Sequence, residues 1–492
     1  MLAYRRIIIV GGGTSGWMTA AALCNTPAFN QSKITLIESK QIGTIGVGEG
    51  STPYLKRFME QLGFDEISWM RACDATYKTG IKFTHWNNDK SHYFHPFYTA
   101  IDVKAAEVFF NQANARRRGQ GEQVNGDDYF VASLLARDNC LPVPVKTYPV
   151  TNEYGFHFNA SKLAKLLADF SRSKGVDVID AKVEKVNQLP SGDIDSLILD
   201  DGACHQADLF IDCTGFKGLL INQISPNQFT SFKQDLLNDS AVTISTQDIT
   251  QKVYTESSAM EAGWRWQIPL TSRTGYGYVY SSEHKSPEQA EQELVTSLNI
   301  QGGVQCRHLS MKVGQQNKAW VGNVLAVGLS QSFIEPLEAT ALMVTQFSIE
   351  SFIKAHVGQS ITNEQNRNQF NAELSKLIYG VKDYILAHYL TSKRRENLYW
   401  QSVTDIDKAD TRLEAILAAW SSGADFDACL NHYENELAYF RPSWYALLAG
   451  MDYRNDQLVV PHQTVSADII EAAKKYTHDL YRHFYQVRQY SL

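Results

Sequence analysis

No Cys-x-x-Cys pair occurs among the seven cysteines (Cys24, Cys73, Cys140, Cys204, Cys213, Cys306, Cys429), which argues against a zinc site and a disulfide framework. A reducing cytoplasm fits best, and no metal is expected. No apolar run approaches the length of a membrane span, and the first strand starts after five residues with no charged leader, signal h-region or cleavage site. An unexported protein without a membrane partner is therefore expected. Neither sign of charge dominates: 46 Lys plus Arg face 53 Asp plus Glu, a net charge of −7 without long like-charged blocks, so nothing favours nucleic acid. Internal repeats and low-complexity segments are missing too. What is present is 492 residues, 44% of them hydrophobic, enough for two or three packed units around a sizeable core.

Arg6-Ile7-Ile8-Ile9-Val10 reads as a buried parallel strand, and Met18-Thr19-Ala20-Ala21-Ala22-Leu23 as the start of a helix. Between them lies Gly11-Gly12-Gly13-Thr14-Ser15-Gly16-Trp17. Gly11 allows the tight turn, Gly13 lets backbone approach a pyrophosphate, Gly16 lets helix and strand pack closely, and N–H groups at Thr14 and Ser15 face the anion. Glu38 ends the strand Ile34-Thr35-Leu36-Ile37, 22 residues beyond Gly16, where a carboxylate accepts hydrogen bonds from an adenosine ribose. A dinucleotide site is expected.

The fold class expected is α/β, a Rossmann-like FAD-binding module of the flavin monooxygenase type with inserted substrate-chamber segments and a C-terminal helical region. Its pieces are separated, at 1–60, 156–220 and 318–345. The middle piece holds an amphipathic helix over 161–170, a strand over 176–186, another over 194–199, and a buried strand ending at Asp212. That strand runs into Cys213-Thr214-Gly215, a small-residue turn beside which a cofactor can pass. The third piece is the strand Val324-Leu325-Ala326-Val327-Gly328, leading through Pro336 into a helix near Glu338. The insertions at 61–155 and 221–317 are expected to wall the flavin and part of a substrate chamber. Residues 346–492 read as helical, and Ile469, Ala472, Ala473, Tyr476, Leu480, Phe484 and Val487 form one apolar stripe on a terminal helix.

A second motif, Trp264-Arg265-Trp266-Gln267-Ile268-Pro269, chooses among dinucleotide enzymes. With the glycine motif it resembles the flavin-dependent tryptophan halogenases. Gly46-Val47-Gly48-Glu49-Gly50-Ser51-Thr52-Pro53, Asp212-Cys213-Thr214-Gly215-Phe216 and Pro336-Leu337-Glu338-Ala339-Thr340 extend the resemblance over nearly the whole chain. It implies that reduced FAD from a separate flavin reductase, dioxygen, and chloride or bromide give hypohalous acid, which travels through a tunnel to a lysine that halogenates an aromatic small-molecule substrate.

By the same resemblance Lys78 is the catalytic lysine and Glu338 its cooperating carboxylate. Lys82 is the competitor for the first role, although Ile81-Lys82-Phe83-Thr84 reads better as a strand start. Glu338, close behind Pro336, also reads as a helix-start acid. Trp264 and Trp266 alternate onto one face and, with Ile268 and Pro269, would block the flavin side; a stacked core pair is the other reading. Gly48 and Glu49 fall in a strap across the cofactor, or in an ordinary glycine loop. Thr340 and Ala341 would offer N–H groups to the halide, although Ala339 and Ala341 replace the family's usual Ser and Gly. His95, Pro96, Phe97 and Trp444 would sandwich an indolic ring, with a core histidine as the alternative at His95. Tyr433, Glu434, Glu436 and Tyr439 stand out of clear register with the family's grip on free tryptophan.

An FAD-dependent aromatic hydroxylase is the leading rival, and a non-catalytic flavin carrier the third reading. Many hydroxylases place Asp after the glycine corresponding to Gly328, where this chain has Leu329. The oligomeric state is left open, a homodimer being one option.

Overall fold

The computed structural model describes residues 4–41, 48–88, 90–144, 152–250, 252–300, 305–356 and 364–484. Five parallel strands lie side by side in the order Val324–Ala326, Leu209–Asp212, Arg6–Val10, Lys33–Glu38 and Asp177–Asp180, with antiparallel Trp320–Val321 at one edge. The apolar runs form strands here because both faces of the sheet are covered. Ile7, Ile9, Leu36, Leu209 and Ile211 enter the principal core, while Ile8, Val10, Ile37 and Phe210 pack with Ile194, Leu197 and Leu199 on the other face. Helices Thr14–Cys24 and Ala160–Ser173 cover the first face, the second helix capped by the Asn159 side chain.

The sequence suggested one strand over 176–186, but the structure breaks it in two. Asp177–Asp180 joins the parallel sheet, and Val183–Gln188 turns away to pair with Ile194–Leu199. The break lies where Ala181 N–H bonds Glu38 carbonyl and Asp200 N–H bonds Lys182 carbonyl, handing the chain from one sheet to the other. Alternation within one strand carries no sign of that handover.

A second sheet has seven strands, in the order Arg307–Ser310, Ser240–Thr246, Thr274–Tyr280, Gly263–Pro269, Thr255–Met260, Gly80–Thr84 and His92–Pro96. It draws strands from both stretches between the pieces of the parallel sheet. A small third sheet, Gly48–Gly50, Gly155–Asn159 and Thr76–Lys78, lies between the two. Beyond it the chain is largely helical, led by Ala341–His356 and the 27-residue helix Glu364–Leu390.

Two helix expectations need correction. The helix near Glu338 begins at Ala341, after a turn in which Ala339 adopts the left-handed φ of 56°, so Glu338 is not a first-turn acid. The terminal helix Ala467–Tyr481 buries Ala473, Thr477, Leu480 and Tyr481, with Phe484 just beyond, while Ile469 (49% exposed) and Tyr476 (36% exposed) face water. The apolar stripe is wider than the surface available to cover it; Val487 lies outside the described residues.

Trp264 and Trp266 are both buried in the principal core. Room for the second comes from its neighbour strand: Gly277 stands opposite Trp266, and a Cβ added there would fall 2.3 Å from two indole carbons. Gly277→Ala is therefore expected to destabilise the protein by about 1–3 kcal/mol through overpacking. A denaturant midpoint equal to that of the natural chain would show that Trp266 is free to move aside.

Candidate active site

At the carboxyl end of the parallel strands, Gly11 has φ +115°, and a Cβ on it would meet the Cys213 carbonyl oxygen at 2.2 Å. A Cβ on Gly16 would meet the Gly11 carbonyl oxygen at 1.9 Å, so strand, turn and helix touch as the fingerprint requires. Gly13 differs, since a Cβ there would meet nothing within 4 Å, leaving open space at the start of helix Thr14–Cys24. Glu38 lies across Gly12, where a Cβ would be 1.7 Å from its carboxylate oxygen, and Arg172 approaches it at 3.7 Å. Gly328 (φ +75°) faces Ser15, and Gly215 (φ +68°) opens beside the same turn. This open, N–H-lined cradle with its acidic side wall suits a dinucleotide diphosphate and ribose. The groove lined by Tyr4, Arg6, Asp193, Asp208 and Arg367 lies at the opposite ends of the strands, away from this chemistry.

Asp212 is fully buried, and its oxygens accept from Thr214 N–H and hydroxyl (2.9 and 2.7 Å) and from Leu220 and Ile221 N–H (2.7 and 2.9 Å). Its carboxylate shapes the turn at Gly215 from inside.

The segment Gly48–Gly50 spans two regions. A Cβ on Gly48 would touch Ile268 at 3.3 Å, and one on Gly50 would lie 3.4 Å from Lys78 Nζ. The strap thus connects the tryptophan strand to the lysine; Gly46 and Val47 lie outside the described residues. Burial pushes the Glu49 carboxyl up to about 7.

Lys78 is fully buried, and its amine has no hydrogen-bond partner among the described residues. It ends the strand Thr76–Lys78, opposite Gly155, with Nζ 5.4 Å from the centre of the Phe97 ring. Burial pulls its pKa down to about 7, the charge of Glu338 opposing. Lys82 instead lies within the next strand, opposite Glu256 and Phe94, and is only half-buried. Beside Lys78, His157 is held by Thr76 Oγ1 at 3.0 Å and Thr255 Oγ1 at 2.9 Å; burial and the nearby lysine keep its imidazole neutral.

Glu338 is buried between two imidazoles. His95 Nδ1 reaches its oxygens at 2.9 and 3.0 Å, and His388 Nε2 lies 3.1 Å from Oε1, within ion-pair range although not aligned for a hydrogen bond. Burial would push this carboxyl up, but His95 and His388 together bring it down to about 2. His95 therefore serves Glu338 through Nδ1, whichever partner its ring face meets. Pro96 pairs with Gly80, and Trp444 is buried with its ring 5.1 Å from Tyr384. Tyr384 stacks on Tyr439 at 3.8 Å, and the hydroxyls of Tyr93 and Tyr439 and the indole N–H of Trp444 have no hydrogen-bond partner among the described residues. Thr340 is buried, and Ala341 opens helix Ala341–His356, whose first N–H groups are free of intrahelical partners.

Sequence reasoning missed a second buried carboxylate. Glu335 Oε2 accepts from Trp264 Nε1 (2.6 Å), Tyr389 hydroxyl (2.7 Å) and Asn238 amide (2.9 Å), tying the tryptophan strand to the turn that carries Glu338. His157 and His388 were missed too. The only signal for His388 was its i,i+4 spacing from Tyr384 on one helix face.

The tryptophan halogenase family model matches residues 6–465. The tryptophan 7-halogenase of Lentzea aerocolonigenes is 32% identical over 510 residues, covering 96% of this chain and 94% of that one. The tryptophan 6-halogenase of Streptomyces toxytricini is 32% identical over 478 residues, covering 90% and 89%. Among solved structures, a flavin-dependent halogenase from Xanthomonas campestris superposes with a TM-score of 0.85 at 30% identity, covering 98% of this chain and 96% of that one.

Lys78 generates a stability test. Its amine binds a proton in the unfolded chain up to the ordinary lysine range but gives it up near pH 7 in the native fold. Between those values the unfolded state holds more protons, so native stability rises with pH across that window. Lys78→Met removes the penalty and is expected to raise stability by on the order of a few kcal/mol at pH 6. The gain should shrink toward pH 10. Denaturant unfolding at both pH values checks this, and a loss of stability at pH 6 would contradict it.

Proposed function

The chain belongs to the tryptophan halogenase family, and on that premise we propose a two-component enzyme that halogenates an indolic ring at Lys78. It takes reduced FAD from a separate reductase, dioxygen, and chloride or bromide. Bound reduced FAD, with dioxygen and halide, supplies hypohalous acid. The observation that carries the reading is the buried, partnerless Lys78 amine near a carboxylate held between two imidazoles. A neutral amine can hydrogen-bond hypohalous acid or take its halogen, and burial, by bringing Lys78 down to about 7, makes the neutral form readily available at that pH. The halogen replaces a ring hydrogen, whose proton leaves with the acid's oxygen as water. Glu338, ionised under working conditions, steadies the cationic ring and helps remove that proton. Thr340 and Ala341 offer N–H groups to the halide, Gly11, Gly13, Thr14, Ser15, Gly16, Glu38 and Gly328 line the FAD cradle, and Trp264 and Trp266 keep the ring away from the flavin. His95, Phe97 and Trp444 form the ring chamber.

The substrate favoured is an indole without an amino-acid grip. Glu434 is exposed, and Glu436 is about half-exposed and paired to Arg412 at 3.0 Å, so neither carboxylate is turned inward for an ammonium. Leu329 after Gly328 speaks against the hydroxylase reading.

Incubation with FAD, a flavin reductase, NADH and saturating bromide should yield monobrominated indole, seen as paired isotope peaks in the mass spectrum, at least as fast as brominated free tryptophan. An oxygenated product without halogen would establish the hydroxylase instead, and a strong preference for tryptophan would bring Glu434 or Glu436 back as an ammonium grip. Glu338→Gln should bind FAD normally and lose about a hundredfold in turnover. An unchanged rate would leave Glu338 without a chemical role.

A further inference from the structure

His388 lies at the meeting point of three elements. It belongs to helix Glu364–Leu390, is fully buried, and has the rings of Phe83, Tyr384 and Trp86 at 4.9, 5.1 and 6.0 Å. Its Nδ1 lies 2.8 Å from the Tyr384 carbonyl oxygen. A carbonyl oxygen only accepts, so Nδ1 carries a hydrogen. Nε2 is then a bare lone pair if the ring is neutral and a donor if the ring is charged. It lies 3.1 Å from Glu338 Oε1, and an unprotonated ring nitrogen that close to a buried carboxylate oxygen sets two electron-rich atoms side by side, which is repulsive. A charged ring turns the same contact into an ion pair.

We propose that His388 is a positioning residue that carries a proton on Nε2 and compensates the charge of Glu338, so that Lys78 is left without a strong counter-charge and stays a neutral amine. The proposal rests on the role of Lys78 given above and adds to it. An opposite charge near a buried amine favours its ammonium form, and an ammonium can neither accept a halogen nor form a haloamine. Glu338 is the charged group that acts on Lys78 in this sense. With His388 charged, the carboxylate field at Lys78 is reduced while its oxygens remain fixed in place.

His95, on strand His92–Pro96, meets Glu338 from the other side through Nδ1 at 2.9 and 3.0 Å, so His388 acts beside a second imidazole. Tyr93, Tyr384 and Tyr439 face Glu338 as phenols whose ionisation is pushed well above the ordinary range by burial and by that carboxylate. His157, against Lys78, is neutral. Glu335 is engaged by its own three donors.

The test reads Lys78 without turnover. In the full chain labelled at lysine Cε, the Lys78 carbon signal is identified by its loss in Lys78→Met and titrated by NMR. His388→Gln keeps a donor near Nε2 and removes the charge, and should move the Lys78 midpoint upward by about one pH unit. The shift should vanish when Glu338→Gln is added, since the charge it exposes is gone. An unmoved midpoint, or a shift that persists without Glu338, would overturn the proposal. If His388→Gln fails to fold, ring nitrogen NMR of the natural chain decides: both nitrogens of His388 protonated at pH 7 supports the assignment, and a neutral ring refutes it. A protein that makes no halogenated product would overturn the proposed activity and leave this titration intact.

Discussion

A lysine amine enclosed in the interior without a hydrogen-bond partner is the constraint to which the surrounding structure is fitted. Such a group is costly as a cation, so the fold must either pair it or keep it neutral. At Lys78 burial favours the neutral form. Its strand lies against Gly50 and Gly155, which bring backbone close without a side chain. His157 is held between two threonine hydroxyls, and burial and the nearby lysine disfavour its charged form. The carboxylate that would draw a proton onto Lys78 is already bound by His95 and His388.

The same packing holds the other candidate site residues. The glycine cradle lies at the ends of the parallel strands, where the helix start and Gly13 leave open space. Of the seven-stranded sheet's two tryptophans, Trp264 is fixed by Glu335 and Trp266 is seated over Gly275 and Gly277. Trp264, through Glu335, is joined to the same turn that presents Glu338, so movement of the tryptophan strand would be felt at the carboxylate. The strap contacts both regions, Ile268 at one end and Lys78 at the other, and gives them a direct physical connection.

Legibility in the sequence followed the range of the interactions. The nucleotide cradle was readable because strand, turn and helix are consecutive, and Gly11 and Gly16 answer to backbone contacts with the neighbouring strand and turn. Lys78 was set apart from Lys82 by its register in the resemblance alone; one continuous strand would put both on the same face, and it is the break between Thr76–Lys78 and Gly80–Thr84 that leaves one buried and the other half-buried. The partners of Glu338 were not readable: His95 lies 243 residues away, and nothing local marks the imidazole of His388 as turned toward it. The turn at Ala339 was hidden as well, since Pro336 followed by an acid imitates a helix start, while the left-handed residue that delays the helix is an alanine. On the terminal helix, Ile469 and Tyr476 fit the apolar period but find no surface to cover them.

The central claim is that the flavin cradle and the lysine are two places with the tryptophan pair between them. A crystal structure of the protein holding both FAD and an indole tests it most directly. The account predicts the flavin diphosphate against Gly13 and the start of helix Thr14–Cys24, and the indole beside Lys78 and Glu338, with Trp264 and Trp266 separating the two rings. An indole stacked directly against the flavin ring, with Lys78 remote from it, would contradict the account.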